Sequence, residues 1–367
     1  LWCGNNESSE GWQRWGWQDP YTENQKAAIW SGYQKIFKEI LPKIVSMNSQ
    51  STYWESSPKF GRGDKNHQFQ GDSHYWGVWH DAEPFEVFEK KVPRFMSEFG
   101  FQSFPEISTI ATFADSNDWK LTSEAMKNHQ KHPRGNSLII EYMKREFNVP
   151  EEFEKFVYAS QILQAEGMRL GLEAHMRSQP YCMGTLYWQL NDCWPVASWS
   201  SRDYFGNWKA LHYTAQDVFA PISISLEKTE SKSFNIWAIS NTANYADSLI
   251  INTYSLDGSL LSSIKRYVKI KSKSQLIDSI PFCKDDEFII CQLKNQKIKS
   301  KAGFIKAIKY YNFPKPNIKY QYIGNQLKLS TDKSAFQVYL HGTKNKFFDN
   351  FFTLLPGEEK VLEIDSS

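Results

Sequence analysis

The sequence predicts two architectures in one chain of 367 residues. The first is an α/β region of barrel or doubly wound type over residues 1–221. The second is antiparallel β-structure from about Ile222 onward. Three observations predict this. Up to residue 221, short apolar runs ending in polar residues alternate with helical patterns. Beyond it come short alternating runs separated by turn residues. The tryptophans respect the same boundary: of 14, all but Trp237 lie at or before Trp208.

The elements read as follows. "LWCGNNE" is a strand end, followed by a Trp/Gln/Gly-rich loop to about Pro20. "TENQKAAIWSGYQKIFKEILPKIVSMN" is helical: Ile29, Tyr33, Phe37, Ile40 and Ile44 recur at helical spacing, and Thr22 with Gln25 fits a capping box. "STYWESSP" is a short strand, and a strand in "GDSHYWGVWH" ends near Trp76. "FEVFEKKV" is a short helix and "PRFMSEFGF" a short strand. Residues 136–148 and 151–178 are helices. "MGTLYWQLND" is a fifth strand, ending near Asp192, and "YFGNWKALHYTAQDVFAP" is a helix closed by Pro221. From Ile222, "ISISLEK", "SFNIWAISN", "LIINTYSL", "IKRYVKI", "EFIICQLK" and "AGFIKAIKYY" read as an antiparallel sandwich. Phe313-Pro314-Lys315-Pro316 reads as a linker. A last block of short strands follows, giving domains at 1–221, 222–313 and 314–367.

Composition narrows the function. With 43 basic and 41 acidic residues there is no charge field to favour nucleic acid. No apolar run reaches the roughly 18 residues of a membrane helix. Cys3, Cys182, Cys193, Cys283 and Cys291 include no Cys-x-x-Cys pair, so they read as small buried thiols rather than a disulfide framework or zinc site. No Gly-x-Gly-x-x-Gly, P-loop or Gly-x-Ser-x-Gly motif occurs. The aromatic content suits stacking on the C–H faces of sugars.

Two carboxylates stand out. Glu7 and Glu98 each close a strand in an aromatic, small-residue context, at the end where α/β barrels place their active sites. A glycosidase needs two such groups flanking the glycosidic bond. Glu55 in "YWESSP" is a rival, since it too ends a strand. Glu83, Glu86 and Glu89 read as a solvated helix face, and Glu151, Glu152 and Glu154 suit a helix N-terminus. His67, His74 and His80 are close in sequence, but a metal site needs converging ligands and nothing in the sequence shows these converging.

"LWCGNNE", "RFMSEFGFQSFP" and "GTLYWQLNDCWPVASWSSRDYFGNWKALHY" together resemble glycoside hydrolase family 2, and most closely its β-mannosidases. "YWESSP" and "GDSHYWGVWH" fit the same resemblance. It covers residues 1–221 well and the remainder more loosely, as immunoglobulin-like β-sandwich domains. The resemblance implies a (β/α)8 TIM barrel of which this chain holds the C-terminal half, strands four to eight.

It also implies roles. Glu7 would be the acid/base and Glu98 the nucleophile of a retaining reaction on terminal β-D-mannose. Asn6 would bind the sugar 2-hydroxyl and Trp188 form part of the sugar platform. Trp15 would wall a subsite, and His74, Tyr75 and His80 would line the pocket. Asn191 and Asp192 would hold the last loop. No cofactor or metal is implied. The substrate would be a β-mannoside or oligosaccharide. Alternatives are a β-galactosidase or β-glucuronidase of the same family, or a non-catalytic carbohydrate-binding fragment. A chain starting at strand four is expected to expose edges and apolar surface. It would be nearly inactive alone, and would need the missing N-terminal segment or a homo-oligomer partner.

Overall fold

A computed structural model describes residues 1–242, 244–271, 273–281, 284–295, 298–341 and 347–364, so Cys283 lies outside the described residues. The chain divides into two compact units, Leu1–Gly100 with Ala174–Trp188, and Phe101–Glu173 with Gln189–Ser367.

The first unit is built on very short parallel strands. β1 (Trp2–Cys3) pairs in parallel with β2 (Tyr53–Trp54), and a parallel bridge between Asn6 and Ser57 extends the pair. Gly4 is required where they meet. A Cβ there would lie 2.5 Å from the Tyr53 hydroxyl and 2.6 Å from the Glu55 carbonyl oxygen, so only glycine fits. β3 (Ser73–His74) pairs in parallel with β4 (Met96–Glu98), and Met96 bridges Thr185 in parallel. That bridge is what remains of the predicted fifth strand. The backbone N–H groups of Leu186 and Trp188 still donate to the Met96 and Phe99 carbonyls, both at 2.8 Å. Pairing with β4 then ends, short of the predicted Asp192.

β3 also ends early, before a helical turn at Gly77–His80. The predicted loop after Glu7 opens instead with a helix, Ser8–Arg14. Its start carries no Ser/Thr-x-x-Glu signal. The Asn5 side chain takes the Ser8 N–H at 3.0 Å instead, satisfying a donor that a helix N-terminus leaves open.

The long helical stretch forms as Glu23–Gln34, a π-helical segment Lys35–Ile40, and Leu41–Asn48. The Thr22–Gln25 capping box is present. Its predicted apolar face divides. Tyr33 and Phe37 are half-buried, and the Tyr53 hydroxyl donates to the Phe37 carbonyl at 2.7 Å. Ile29, Ile40 and Ile44 are exposed. The core of the unit lies elsewhere, around Trp79, Phe88, Met96 and Phe99. Two acids expected on a solvated face are engaged: Glu83 accepts from the Tyr75 hydroxyl, and Glu89 pairs with Arg177 at 2.6 Å.

In the second unit, helices Gly135–Glu146 and Ala210–Val218 form where predicted. The helix Phe153–Arg177 belongs to this unit as far as Glu173. Asp192 is buried and accepts from the Ser198 and Ser200 hydroxyls at 2.7 and 2.5 Å. These bonds hold the loop in a non-extended path, since short polar side chains compete with a strand ladder.

β5 (Ile222–Lys228), β6 (Phe234–Ser240), β7 (Tyr245–Ser255), β8 (Leu260–Ile270), β9 (Lys273–Ile280), β10 (Glu287–Leu293) and β11 (Lys301–Gly303) make two antiparallel sheets, ordered 5-6-9 and 11-10-7-8. Ile224, Ile236, Leu249, Ile251, Ile289 and Leu293 pack between them as one core. β9 was not predicted, and the last predicted strand shrinks to β11. The Phe313 "linker" ring packs 5.3 Å from Phe336 and 5.4 Å from Tyr311. Beyond it, β12 (Ile318–Ile323), β13 (Gln326–Thr331) and β16 (Lys360–Glu363) form one sheet, and β14 (Ala335–Val338) pairs with β15 (Phe352–Leu354). β13, β15 and β16 share a core of Leu327, Leu329, Leu354 and Leu362, while β12 is exposed along its length. Contrary to the expectation of buried thiols, Cys3 and Cys193 are exposed; Cys182 and Cys291 are buried.

Candidate active site

The candidate site lies at the ends of the parallel strands of the first unit. Glu7 follows β1 in a left-handed backbone conformation, φ 57°, unusual for a residue with a Cβ. Neighbouring bonds hold it there. Its N–H donates to the Ser57 carbonyl and its carbonyl accepts from the Gly11 N–H, both at 2.8 Å. Such conformations persist only where the surroundings over-determine them, and they concentrate at functional sites.

His74 closes β3 and is buried. Its Nδ1 lies 2.7 Å from Glu7 Oε1 and 3.3 Å from Glu98 Oε2. Glu98 closes β4 and is 7 % exposed. The Trp76 Nε1–H donates to Glu98 Oε2 at 3.0 Å. Burial pushes the Glu98 carboxyl above its ordinary range; the His74 charge opposes this, the Glu7 charge adds to it, and the Trp76 bond opposes it. Behind His74 the Ser57 hydroxyl lies 2.9 Å from Nε2 and donates to Asp72.

One ligand atom each from Glu7, His74 and Glu98 lie within 4.8 Å of one another, so a divalent cation could draw on this donor set. The 2.7 Å contact of Nδ1 with Glu7, however, is a direct hydrogen bond. Two ligands around an ion with metal bonds of about 2.0–2.2 Å stand farther apart than that. The arrangement fits two carboxylates bridged by an imidazole.

The structure thus brings Glu7, Glu98 and His74 together. Tyr75 goes to the opposite face, as strand alternation dictates. It is buried, and burial together with Glu83 holds its hydroxyl well above the usual range. His80 is exposed, its ring 5.5 Å from that of Trp76. Asn6 is exposed beside Glu7. Trp188 is 42 % exposed at the end of the Thr185 segment. Trp15 is exposed, edge-on to Trp17 at 5.8 Å. An open aromatic groove lined by Ser8, Trp12, Trp17, Tyr21, Trp30 and Tyr33 begins just past Glu7 and touches none of the three central residues. His67 lies apart from His74: it is buried between the Ser73 hydroxyl and the Phe60 carbonyl, each at 3.0 Å. Glu55, the rival acid, pairs with Lys38 at 3.3 Å.

Sequence reasoning missed Asn5, Ser57, Asp72 and Trp76. For Trp76 a signal existed: two positions after His74 in an extended segment, it shares His74's face. For Ser57 and Asp72 none did, because their importance depends on which strand lies beside which.

The family model Ig_mannosidase, an Ig-fold domain, matches residues 313–367. A β-mannosidase B of Aspergillus clavatus is 32% identical over 238 residues, 62% of this chain and 28% of that protein. One from Aspergillus terreus is 30% identical over 263 residues, 66% of this chain and 31% of that protein. The chain therefore spans less than a third of the length of these curated relatives. The crystal structure of a β-D-mannosidase from Dictyoglomus thermophilum superposes with a TM-score of 0.87 at 26% identity, covering all of this chain and 46% of that one. An exo-chitosanase from Amycolatopsis orientalis shares the fold at a TM-score of 0.65 and 13% identity. In its Ig-fold segment, its sequence and its fold, the chain is similar to β-mannosidases, and its similarity points to glycoside hydrolase family 2.

Proposed function

We propose that the full-length protein is a retaining exo-β-mannosidase acting on terminal β-D-mannose of β-mannosides or oligosaccharides. The observation that carries this reading is the closeness of Glu7 and Glu98 across His74. Retaining glycosidases hold their two carboxyl groups about 5–5.5 Å apart, whereas inverting ones leave roughly 6.5–9.5 Å for a water molecule.

Glu98 attacks the anomeric carbon. The C1–O bond to the leaving group breaks as a proton reaches that oxygen from Glu7, leaving mannose esterified to Glu98. A water molecule then gives a proton to Glu7 and its oxygen to C1. The ester bond breaks, and β-mannose and a free Glu98 carboxylate remain. Asn6 would hydrogen-bond the 2-hydroxyl, Trp188 carry the sugar face, and Trp15 wall a subsite.

On the same reading, the strand ends at Glu7, Ser57, His74, Glu98 and Trp188 are strands four to eight of a (β/α)8 barrel. Their uniformly parallel pairing supports this. The boundaries 1–221, 222–313 and 314–367 belong to this proposal. The exposed isoleucines of Glu23–Asn48, together with the share of the relatives that the chain spans, support cover by further polypeptide of the same protein. The chain alone should then turn over little.

The test compares aryl β-mannoside, β-galactoside and β-glucuronide on the full-length protein, with Glu98→Ala as control. Mannoside preference is expected, with at least about a 10⁴-fold loss of kcat on removing the nucleophile. A preference for another sugar contradicts the proposed substrate. Glu98-dependent turnover by the isolated chain, comparable to that of the full-length protein, contradicts the need for cover.

A further inference from the structure

His74 has two ring nitrogens, and the groups around it settle which one carries a proton. The buried Asp72 carboxylate accepts three donors: the Lys59 N–H on Oδ1 at 2.8 Å, the Ser97 hydroxyl on Oδ2 at 2.7 Å, and the Ser57 hydroxyl on Oδ2. A serine hydroxyl has a single proton, and that of Ser57 points to Asp72. Toward His74 Nε2, 2.9 Å away, Ser57 can therefore only accept. Nε2 must carry a proton.

The other side of the ring follows. In a neutral imidazole protonated at Nε2, Nδ1 presents a lone pair. A lone pair 2.7 Å from Glu7 Oε1 requires a proton between them. That proton lies either on Glu7 or on Nδ1, and the count is the same in both cases.

We propose that Ser57 and Asp72 are positioning residues that hold His74 as the Nε2–H form, and thereby keep on the Glu7–His74 pair the proton that the leaving group needs. The proposal rests on the reading of Glu7 as the acid/base. In the first step the proton passes from the pair to the glycosidic oxygen as the C1–O bond breaks. In the second, the water that attacks C1 returns a proton to the pair. The second-row pattern of hydroxyl and carboxylate behind the ring does for this imidazole what an orienting carboxylate does behind other catalytic histidines.

The test uses the full-length protein and two mannosides, a 2,4-dinitrophenyl mannoside whose leaving group needs no proton and methyl β-mannoside, whose leaving group does. In Ser57→Ala and Asp72→Asn, kcat/KM for the methyl glycoside should fall roughly ten- to hundred-fold further than for the dinitrophenyl one, within the range of general-acid contributions. Ser57→Thr, which keeps the hydroxyl, should restore the ratio. Equal losses on both substrates would overturn the proposal. Nitrogen-15 NMR of histidine-labelled wild-type protein decides the point independently of turnover: a protonated His74 Nε2 is expected, and a bare Nε2 overturns it. A wild type inert toward both mannosides, with Nε2 protonated, counts against the β-mannosidase reading while leaving the Ser57–Asp72 assignment standing.

Discussion

Burial pushes the Glu98 carboxyl upward, while the His74 charge and the Trp76 N–H pull it back. The nucleophile's role proposed for Glu98 requires it ionised, so activity should rise with pH as Glu98 loses its proton. Trp76 favours the ionised form. Trp76→Phe should therefore move the acidic limb of kcat/KM to higher pH. A hydrogen bond to a charged group is worth about 1.5–3 kcal/mol, so the loss on the acid side should be about ten- to a hundred-fold and smaller at alkaline pH. A pH–rate profile of the variant checks this; an unmoved acidic limb counts against the role given to Trp76. That Glu7 and Glu98 close strands was legible in the sequence, from their aromatic and small-residue surroundings; their approach to His74 was not, since it depends on which strands lie side by side. Asn5 and Ser57 were not legible either. Asn5 looks like any turn residue until its side chain is seen bonding both the Ser8 N–H and the Glu55 carbonyl, at 3.0 and 2.7 Å.

The helical stretch Glu23–Asn48 shows what periodicity can and cannot say about an element. Its start was legible, down to the capping box, because capping is local chemistry. Its burial was not. Ile36 is 47 % exposed and Ile44 50 % exposed, since apolar spacing marks a face without naming what covers it. Burying an isoleucine is worth about 1.5–3 kcal/mol, so this face should drive association of the isolated chain. Replacing Ile36, Ile40 and Ile44 with Glu should raise the fraction of monomer in sedimentation velocity, and unchanged association would show that the face is not responsible. β9 escaped for a related reason. Lys273, Ser274, Gln275 and Asp278 interleave with its apolar residues, and Leu276 is 48 % exposed, so the alternation that marks a half-buried strand is weak. The parallel strands were seen as runs of about eight residues yet pair over two or three, because side chains such as Asp192 and the helical turn at Gly77 take over the backbone beyond them.

At the scale of the whole chain, the tryptophan boundary and the change of rhythm at Ile222 correspond to the start of β5 and of an antiparallel core. Composition could see that change because the two regions bury different residues: aromatic and polar groups around the strand ends, aliphatic ones between the sheets. The separate core of Leu327, Leu329, Leu354 and Leu362 lies in the block that the Phe313–Pro316 stretch sets apart; composition alone does not mark it, since the aliphatic residues there resemble those before them. The central claim is that Glu98, facing Glu7 across His74, is the group that takes the sugar. Treating the full-length protein with 2-deoxy-2-fluoro-β-D-mannosyl fluoride and mapping the modified peptide tests this most directly. Inactivation with one 2-deoxy-2-fluoromannosyl ester on Glu98 is expected. An ester on another carboxylate such as Glu55, or full activity with no label, would contradict it.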